Sequence, residues 1–243
     1  MAYQYFLNYK LLITKIKYRE FTMAISFKLL TVFITVLTVG CASKTVAPED
    51  YSGYLSDYSK LEKVDTASGG ETLRWINDKI AAQGYHSVIL DKTILYPEPQ
   101  PTAQVSDTVL THLTWEVDKA LASAASGSFK IVTSFGEGVL RIKPAITGVV
   151  HNMEGMKPIE ILPVALVLGL GKVAIGTRDR DVSVFLEVAV MDSQTDELLA
   201  TVVRKGEGAQ LENDKEQLTI VHLEEMIENW KKDATDVFSG LAK

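Results

Sequence analysis

Residues Leu29–Val39, LLTVFITVLTV, form an unbroken apolar and hydroxyl-bearing run that leads into Gly40 and the chain's single cysteine, Cys41. At 11 residues the run is about the length of an export signal's apolar region. It is too short to span a bilayer, which takes about 20 residues. Lys28 puts a positive charge just ahead of it, and polar residues follow it. The run therefore acts as an address and not as part of a folded core. With one cysteine, no intrachain disulfide and no cysteine-based metal site can form. Whatever follows Cys41 has to fold on packing and hydrogen bonding alone.

Leu37-Thr38-Val39-Gly40-Cys41 resembles the bacterial lipobox, in which aliphatic or small residues precede a small residue and then cysteine. Thr38 stands where leucine is usual, and Gly40 fits the pattern. The resemblance implies cleavage between Gly40 and Cys41 and lipidation of Cys41. The chemistry needs a thiol because the thiolate is the nucleophile that takes up diacylglycerol. A small neighbour lets the peptidase reach the bond. The plainer alternative is a buried core cysteine behind a short hydrophobic helix; the charge, the run, the glycine and the polar tail together favour lipidation. Bacterial sorting retains a lipoprotein in the inner membrane when Asp follows the cysteine. Ala42 stands there, which implies the outer membrane, on its periplasmic side.

Residues 1–40 are set aside as leader and signal, with Met23 the expected true start, because MAISFKLL makes a more ordinary signal than the long basic stretch before it. Removing 40 of the 243 residues leaves 203, enough for one domain with a sizeable core. The leader carries five basic residues against one acidic, so the chain's net charge of −6 becomes −10 for the remainder. An acidic body is a poor nucleic-acid binder and is repelled by anionic lipid head groups. The membrane contact thus falls to the lipid on Cys41, each buried methylene contributing about 0.8 kcal/mol.

Residues 41–50 read as a flexible tether and 51–243 as a single periplasmic domain. Tyr51–Leu61 reads as a strap packing Tyr51, Tyr54 and Tyr58 on the body. Glu71–Gln83 has an amphipathic helical pattern closed by Gly84. Ser87–Leu95 reads as a strand, followed by the proline-rich break Tyr96–Pro101. Ser106–Ala125 is a helix capped by Ser106, with Leu110, Leu113, Val117, Leu121 and Ala124 on one face. Phe129–Thr133 and Val139–Val150 read as strands; Pro144 argues for a sheet edge or a bulge in the second. Asp181–Met191 alternates, with Val182, Val184, Leu186, Val188 and Val190 facing inward. Leu198–Lys205 is its hairpin partner, Gly206–Lys215 a polar loop, and Leu218–Leu241 a second long helix. This order predicts an α+β two-layer sandwich: a mixed or antiparallel sheet of about five strands with two long helices on one face.

Several segments together resemble the domain of unknown function 3313 family of Gram-negative outer-membrane lipoproteins. They are Tyr51-Ser-Gly-Tyr-Leu-Ser-Asp-Tyr58, Leu73-Arg-Trp-Ile76, Tyr96-Pro97, Gly138-Val-Leu-Arg141, Ala145-Ile-Thr147, Pro163-Val-Ala-Leu-Val167, and Asp192-Ser-Gln-Thr195 leading to Arg204. The family has Gly after the turn threonine, where Asp196 stands here. The resemblance implies location and no activity. The element order is also similar to periplasmic modules of the TolB amino-terminal type, an analogy of fold alone.

No catalytic spacing emerges. Gly136-Glu-Gly138 and Gly169-Leu-Gly-Lys172 lack the spacing of a phosphate loop and read as turns. His86, His112, His151 and His222 are scattered, so no metal site is expected, and no motif calls for a cofactor. Glu187 sits on the polar side of the alternating strand; if chain covers that side it needs a partner, with Arg141 and Arg204 the candidates for a structural ion pair or a binding groove. Val164, Leu166 and Leu168, in the apolar run 163–175, are either core or an exposed docking patch. Tyr51, Tyr54 and Tyr58 could likewise face a partner, though packing on the body is the plainer reading. The expected function is a lipid-anchored, non-catalytic binding or assembly module with a protein partner or as a homo-oligomer. The alternatives are a periplasmic hydrolase or small-ligand binder, and an envelope spacer.

Overall fold

The centre of the sheet is the hairpin of β7 (Arg180–Asp192) and β8 (Leu198–Leu211). In β7 the alternation holds as expected. Val182, Val184, Leu186, Val188 and Val190 enter the main core, while Phe185 and Ala189 belong to a second cluster on the opposite face. The hairpin turn is organised by Asp192, whose Oδ1 accepts the backbone N–H groups of Gln194 and Thr195 at 2.9 and 2.8 Å. Asp196 follows with φ 55°, a left-handed conformation that glycine adopts freely and aspartate tolerates. An aspartate can therefore stand where the family resemblance leads one to expect glycine.

The computed structural model describes residues 45–153, 180–213 and 215–242. Gly40, Cys41, the patch containing Val164, Leu166 and Leu168, and Gly169–Lys172 lie outside the described residues. Among those described, the sheet is mixed and has eight strands. From one edge it runs β1 (Glu62–Asp65), β2 (Glu71–Ile76), β8, β7, β6 (Val139–Met153), β3 (Ser87–Leu90) and β5 (Lys130–Ile131), with β4 (Ile94–Leu95) pairing β6 beyond the end of β3. Pairing is antiparallel from β1 across to β6 and parallel among β6, β3, β4 and β5. The expected five strands thus become eight: the 87–95 strand divides into β3 and β4, and β1 and β2 are added.

Segment 71–83 is the main correction. Glu71–Ile76 is a strand, and only Lys79–Gln83 is helical, here α1. Leu73 faces the second cluster and Ile76 the main core, a period of two that a six-residue run could not separate from a helical one. Pairing with β8, which sets Leu73 opposite Val203, decides the matter. Pro144 lies inside an interior strand. The carbonyls of Ile142 and Ile146 accept from Asp91 and Tyr96, so Pro144 turns its missing donor toward the same side, at the gap between β3 and β4. The ladder's bulge falls nearby, between Ile146 and Gly148.

Two long helices, α2 (Asp107–Ser126) and α3 (Glu224–Leu241), lie together on one face. Ser106 Oγ accepts the Val109 N–H and caps α2. Ile220–Leu223 is a 3-10 turn, not the first turn of α3; Thr219 and His222 cap it reciprocally. Leu113 and Val117 of α2 and Met226 and Phe238 of α3 share the main core with the inward valines of β7. Phe129 meets Phe238 edge-on, ring centres 6.0 Å apart.

The expected loop 206–215 is mostly strand, since β8 continues to Leu211. Gly206 is a strand glycine that admits α3, and Gly208 one that admits the 3-10 turn before it. A Cβ on Gly206 would stand 2.5 Å from Met226 Cγ and 2.7 Å from Trp230 Cζ2, and one on Gly208 would stand 2.9 Å from the His222 carbonyl oxygen. The opposite face carries the strap. Val46 and Leu55 are buried with Val150, Phe185 and Val203, and Tyr51, Tyr54 and Tyr58 pack against them. Residues 45–50 are therefore not free tether: Val46 is in the core of that face and Pro48–Asp50 forms a 3-10 turn.

Candidate functional site

Two buried charges sit back to back in the central hairpin. Glu187 is opposite Val203, and Leu186 is opposite Arg204. Successive strand residues point to opposite faces, so Glu187 lies under the strap and Arg204 under the helices. Glu187 is 1% exposed and Arg204 8%.

The strap satisfies Glu187. The Tyr58 hydroxyl donates to Oε2 at 2.6 Å, and the Ser52 N–H donates to Oε1 at 3.3 Å. The same hydroxyl accepts the N–H groups of Gly53 and Leu55 at 3.0 and 3.1 Å. Tyr51 stacks on Tyr58, centres 4.4 Å apart and planes 9° from parallel. Burial raises the Tyr58 hydroxyl above its ordinary pKa, and the hydrogen bond to Glu187 adds to the shift. Tyr54 donates to the Lys143 carbonyl at 3.3 Å. The three tyrosines candidate for an interface are thus engaged with their own chain.

Neither arginine reaches Glu187. Arg141 stands opposite Met191 and Glu187 opposite Ala145, four ladder positions apart on the same face. Arg141 instead grips Asp91, with Nε 3.1 and 3.0 Å from the two carboxylate oxygens and Nη2 2.8 Å from Oδ2. Its guanidinium lies 5.4 Å from the Phe135 ring centre. Arg204 pairs with Asp233 of α3 at 2.7 Å. Its Nη1 donates to the Glu71 carbonyl at 2.6 Å and its Nη2 to Ser68 Oγ at 3.3 Å. Asp233 also accepts the backbone N–H and hydroxyl of Ser68 at 2.7 and 2.9 Å. Burial draws the Arg204 guanidinium below its usual pKa, and Asp233 opposes that.

Arg204 is also part of a site that sequence reading missed. An apolar cavity of about 120 Å³ lies between sheet and helices, lined by Val117, Leu121, Val188, Val202, Ala234 and Phe238 among others. Beside it opens a polar hollow of about 310 Å³, lined by Ser68, Gly69, Gly70, Lys205, Gly206 and Asn229 among others. Arg204 and Trp230 line both. Among the described residues three buried side-chain polar atoms have no hydrogen-bond partner: Thr93 Oγ1, Arg204 Nε and Trp230 Nε1. Two of the three belong to the residues shared by the hollows. Most buried polar groups are paired, so two orphaned donors there are unusual. The sequence signal was Gly206 beneath Trp230, legible only once the helix was placed on the strand.

Gly136–Gly138 is a turn, its Gly136 N–H held by Ser193 Oγ at 3.2 Å. His112 faces Glu116, and His222 caps the 3-10 turn with Thr219. Among the described residues no three His, Cys, Asp or Glu side chains are grouped to hold a metal, and no helix is long and apolar enough to cross a membrane.

A mixed eight-stranded sheet with paired helices on one face and an N-terminal strap on the other defines an α/β domain whose relatives have been grouped by sequence. The family model described as "Protein of unknown function (DUF3313)" matches residues 50–234, and the chain belongs to that family. It is 33% identical over 196 residues to the uncharacterized lipoprotein YdcL of Escherichia coli K12, covering 81% of this chain and 88% of YdcL. Among solved structures, the PelC dodecamer of Paraburkholderia phytofirmans aligns over 75% of this chain and 96% of its own, at 7% identity and a TM-score of 0.34. Protein XCC0632 of Xanthomonas campestris, of family DUF330, aligns over 66% and 83%, at 10% identity and a TM-score of 0.30.

Proposed function

We propose that this chain is a lipoprotein, anchored through acylated Cys41 to the periplasmic side of the outer membrane, whose domain 51–243 is a non-catalytic binding module held close against the bilayer. The lipobox and the likeness to a lipoprotein of Escherichia coli support the anchor. The observation that carries the close apposition is the burial of Val46 under a strap clamped by Tyr58 and Glu187. Only residues 42–45 separate Cys41 from Val46, a reach of about 17 Å at full extension. Such a tether favours partners or ligands in the membrane or next to it. A hydrolase is the weaker reading, because Glu187 and Arg204 lie on opposite faces and Arg141 is bound to Asp91.

The test is fractionation with labelled palmitate. Wild type should carry label and sediment with membranes, and Cys41→Ser should lose the label and become soluble. If Cys41→Ser stays in the membrane fraction, the anchor is elsewhere and the proposal fails.

A further inference from the structure

The apolar cavity shares the Arg204–Trp230 wall with the polar hollow, but its shape comes from three alanines that line it. On α3, Trp230, Ala234 and Phe238 follow one another at helical spacing on the face turned to the core. Ala234 thus puts a methyl group between two rings. The sheet brings Ala200 of β8, whose cross-strand neighbours are the larger Ile76 and Val190. The third, Ala120, comes from α2, one turn after Val117. Small side chains from three elements, set among larger ones, leave a gap of about 120 Å³ between layers that are otherwise filled. The gap is dry by chemistry. A buried water makes about three hydrogen bonds, and the side chains of the inner lining, Leu140, Ile142, Leu186 and Val188, offer none. The Thr72 hydroxyl is spent on the Val203 carbonyl at 3.0 Å, and Arg204 and Asp233 on each other at 2.7 Å. Asp65, Ala67 and Asp236 of the lining are exposed, and Ile76, Val202 and Ala234 are half-buried. The cavity therefore reaches the surface between the β1–β2 turn and α3.

We infer that this cavity binds a compact, uncharged hydrocarbon-like molecule the size of a single six-membered ring, which enters between the β1–β2 turn and the C-terminal half of α3. Volume sets the size. A dry apolar cavity of about 150 Å³ binds benzene, so one of about 120 Å³ holds one ring or a short branched alkyl group. The mouth sets the upper limit. Asp65, Arg74, Lys231 and Asp236 border the cavity, and a long chain emerging among them would strip water from charged side chains. Charge sets neutrality. The two carboxylates and two cations at the mouth balance, so neither an anion nor a cation is drawn in, and the inner lining has no partner for either. The inference goes beyond the reading of the chain as an anchored binding module and stands without it, because the cavity lies on the helix face, away from the strap.

The experiment follows methyl groups by ¹H–¹³C NMR. The full chain, purified with its lipid and held in detergent-free nanodiscs, is titrated with benzene, its free concentration set through the vapour so that uptake by the lipid does not count. Saturable shifts should appear on the methyl groups of Val117, Leu121, Val188 and Val202, which line the cavity. Those of Val46, Leu55 and Val150, under the strap, should stay in place. Mesitylene, which adds three methyl groups to the ring, should bind about tenfold more weakly because it overfills the space. Benzoate should be weaker by about tenfold as well, because its charge has no partner inside. Ala234→Leu fills the gap from the helix and Ala200→Val fills it from the sheet; each should weaken benzene about tenfold. The wild-type titrations need no variant to fold and decide the matter by themselves if a variant does not. Absence of a saturable shift on the cavity methyl groups, or equal shifts under the strap, would overturn the assignment. So would mesitylene or benzoate binding as tightly as benzene, or benzene affinity unaltered in a folded filled variant. Each outcome is independent of whether Cys41 is acylated, so failure here and failure of the anchor are read separately.

Discussion

Glu187 and Arg204 are neighbours across one hairpin, both nearly inaccessible, and they have opposite fates. The carboxylate under the strap receives a hydroxyl and a backbone N–H, and the hydroxyl is itself saturated by two further backbone donors. The guanidinium under the helices has an ion pair and several hydrogen bonds, yet its Nε has no acceptor, nor has the indole N–H of Trp230, the other residue that lines both hollows. A closed polar network rigidifies what it joins; an open one has capacity left for something else. The strap face is thus a fastening with its polar groups satisfied, and the helix face keeps two unpaired donors.

The fastening should be the more costly to break. Glu187→Ala leaves the Tyr58 hydroxyl and Ser52 N–H facing an apolar hole. We expect a loss of about 3 to 4 kcal/mol in urea unfolding, with protease cutting between residues 45 and 61 well ahead of the rest. A loss below about 1 kcal/mol would mean that the strap is not held by this carboxylate.

Next comes the helix face. Gly206→Ala places a methyl group against Met226 and Trp230 and should cost about 2 kcal/mol by forcing α3 outward. Unchanged stability would show that the helix seats more loosely than the close approach implies.

Tyr58→Phe is smaller, about 1.5 kcal/mol, because Phe keeps the stacking on Tyr51: the charge-assisted hydrogen bond to Glu187 goes, while the Gly53 and Leu55 N–H groups that the hydroxyl accepted lie near the surface and turn to water. Its pH dependence is the sharper readout. The folded Tyr58 hydroxyl titrates above the ordinary value of about 10. Its contribution is therefore complete below about pH 10 and is lost as pH rises toward the folded pKa. The wild-type minus Tyr58→Phe difference in unfolding free energy should shrink above pH 10. A difference that grows there would contradict the direction of the shift.

Much of this contrast was legible in the sequence, and the rest was hidden for physical reasons. The stripe on α2 and the alternation of β7 are long and regular, so their faces could be assigned. The latter even placed Glu187 on a side that would need a partner if covered. The partner was misjudged because Coulomb reasoning looks for an arginine, while the nearest group in space was the tyrosine of a strap 129 residues earlier. Gly206 and Gly208 look like loop residues in sequence; they pair with Val184 and Val182 of β7, and they are glycines because α3 and the 3-10 turn before it press on them. The β2 segment has six residues, too few to tell a period of two from 3.6. The Arg204–Trp230 wall needs β8, α3 and the β1–β2 turn to meet, and no local pattern encodes that.

The smallest effect tests the contrast most directly. Trp230→Phe removes a buried donor that has no acceptor and keeps most of the ring. Loss of ring packing destabilises, and relief of the orphaned N–H, worth about 1 to 3 kcal/mol, offsets it. The net change should therefore stay under about 1 kcal/mol, below that of Tyr58→Phe, even though tryptophan is the larger side chain and just as deeply placed. If denaturant unfolding instead gave a loss above about 2 kcal/mol, the indole N–H would have a partner within the protein. The helix face would then be as closed as the strap face.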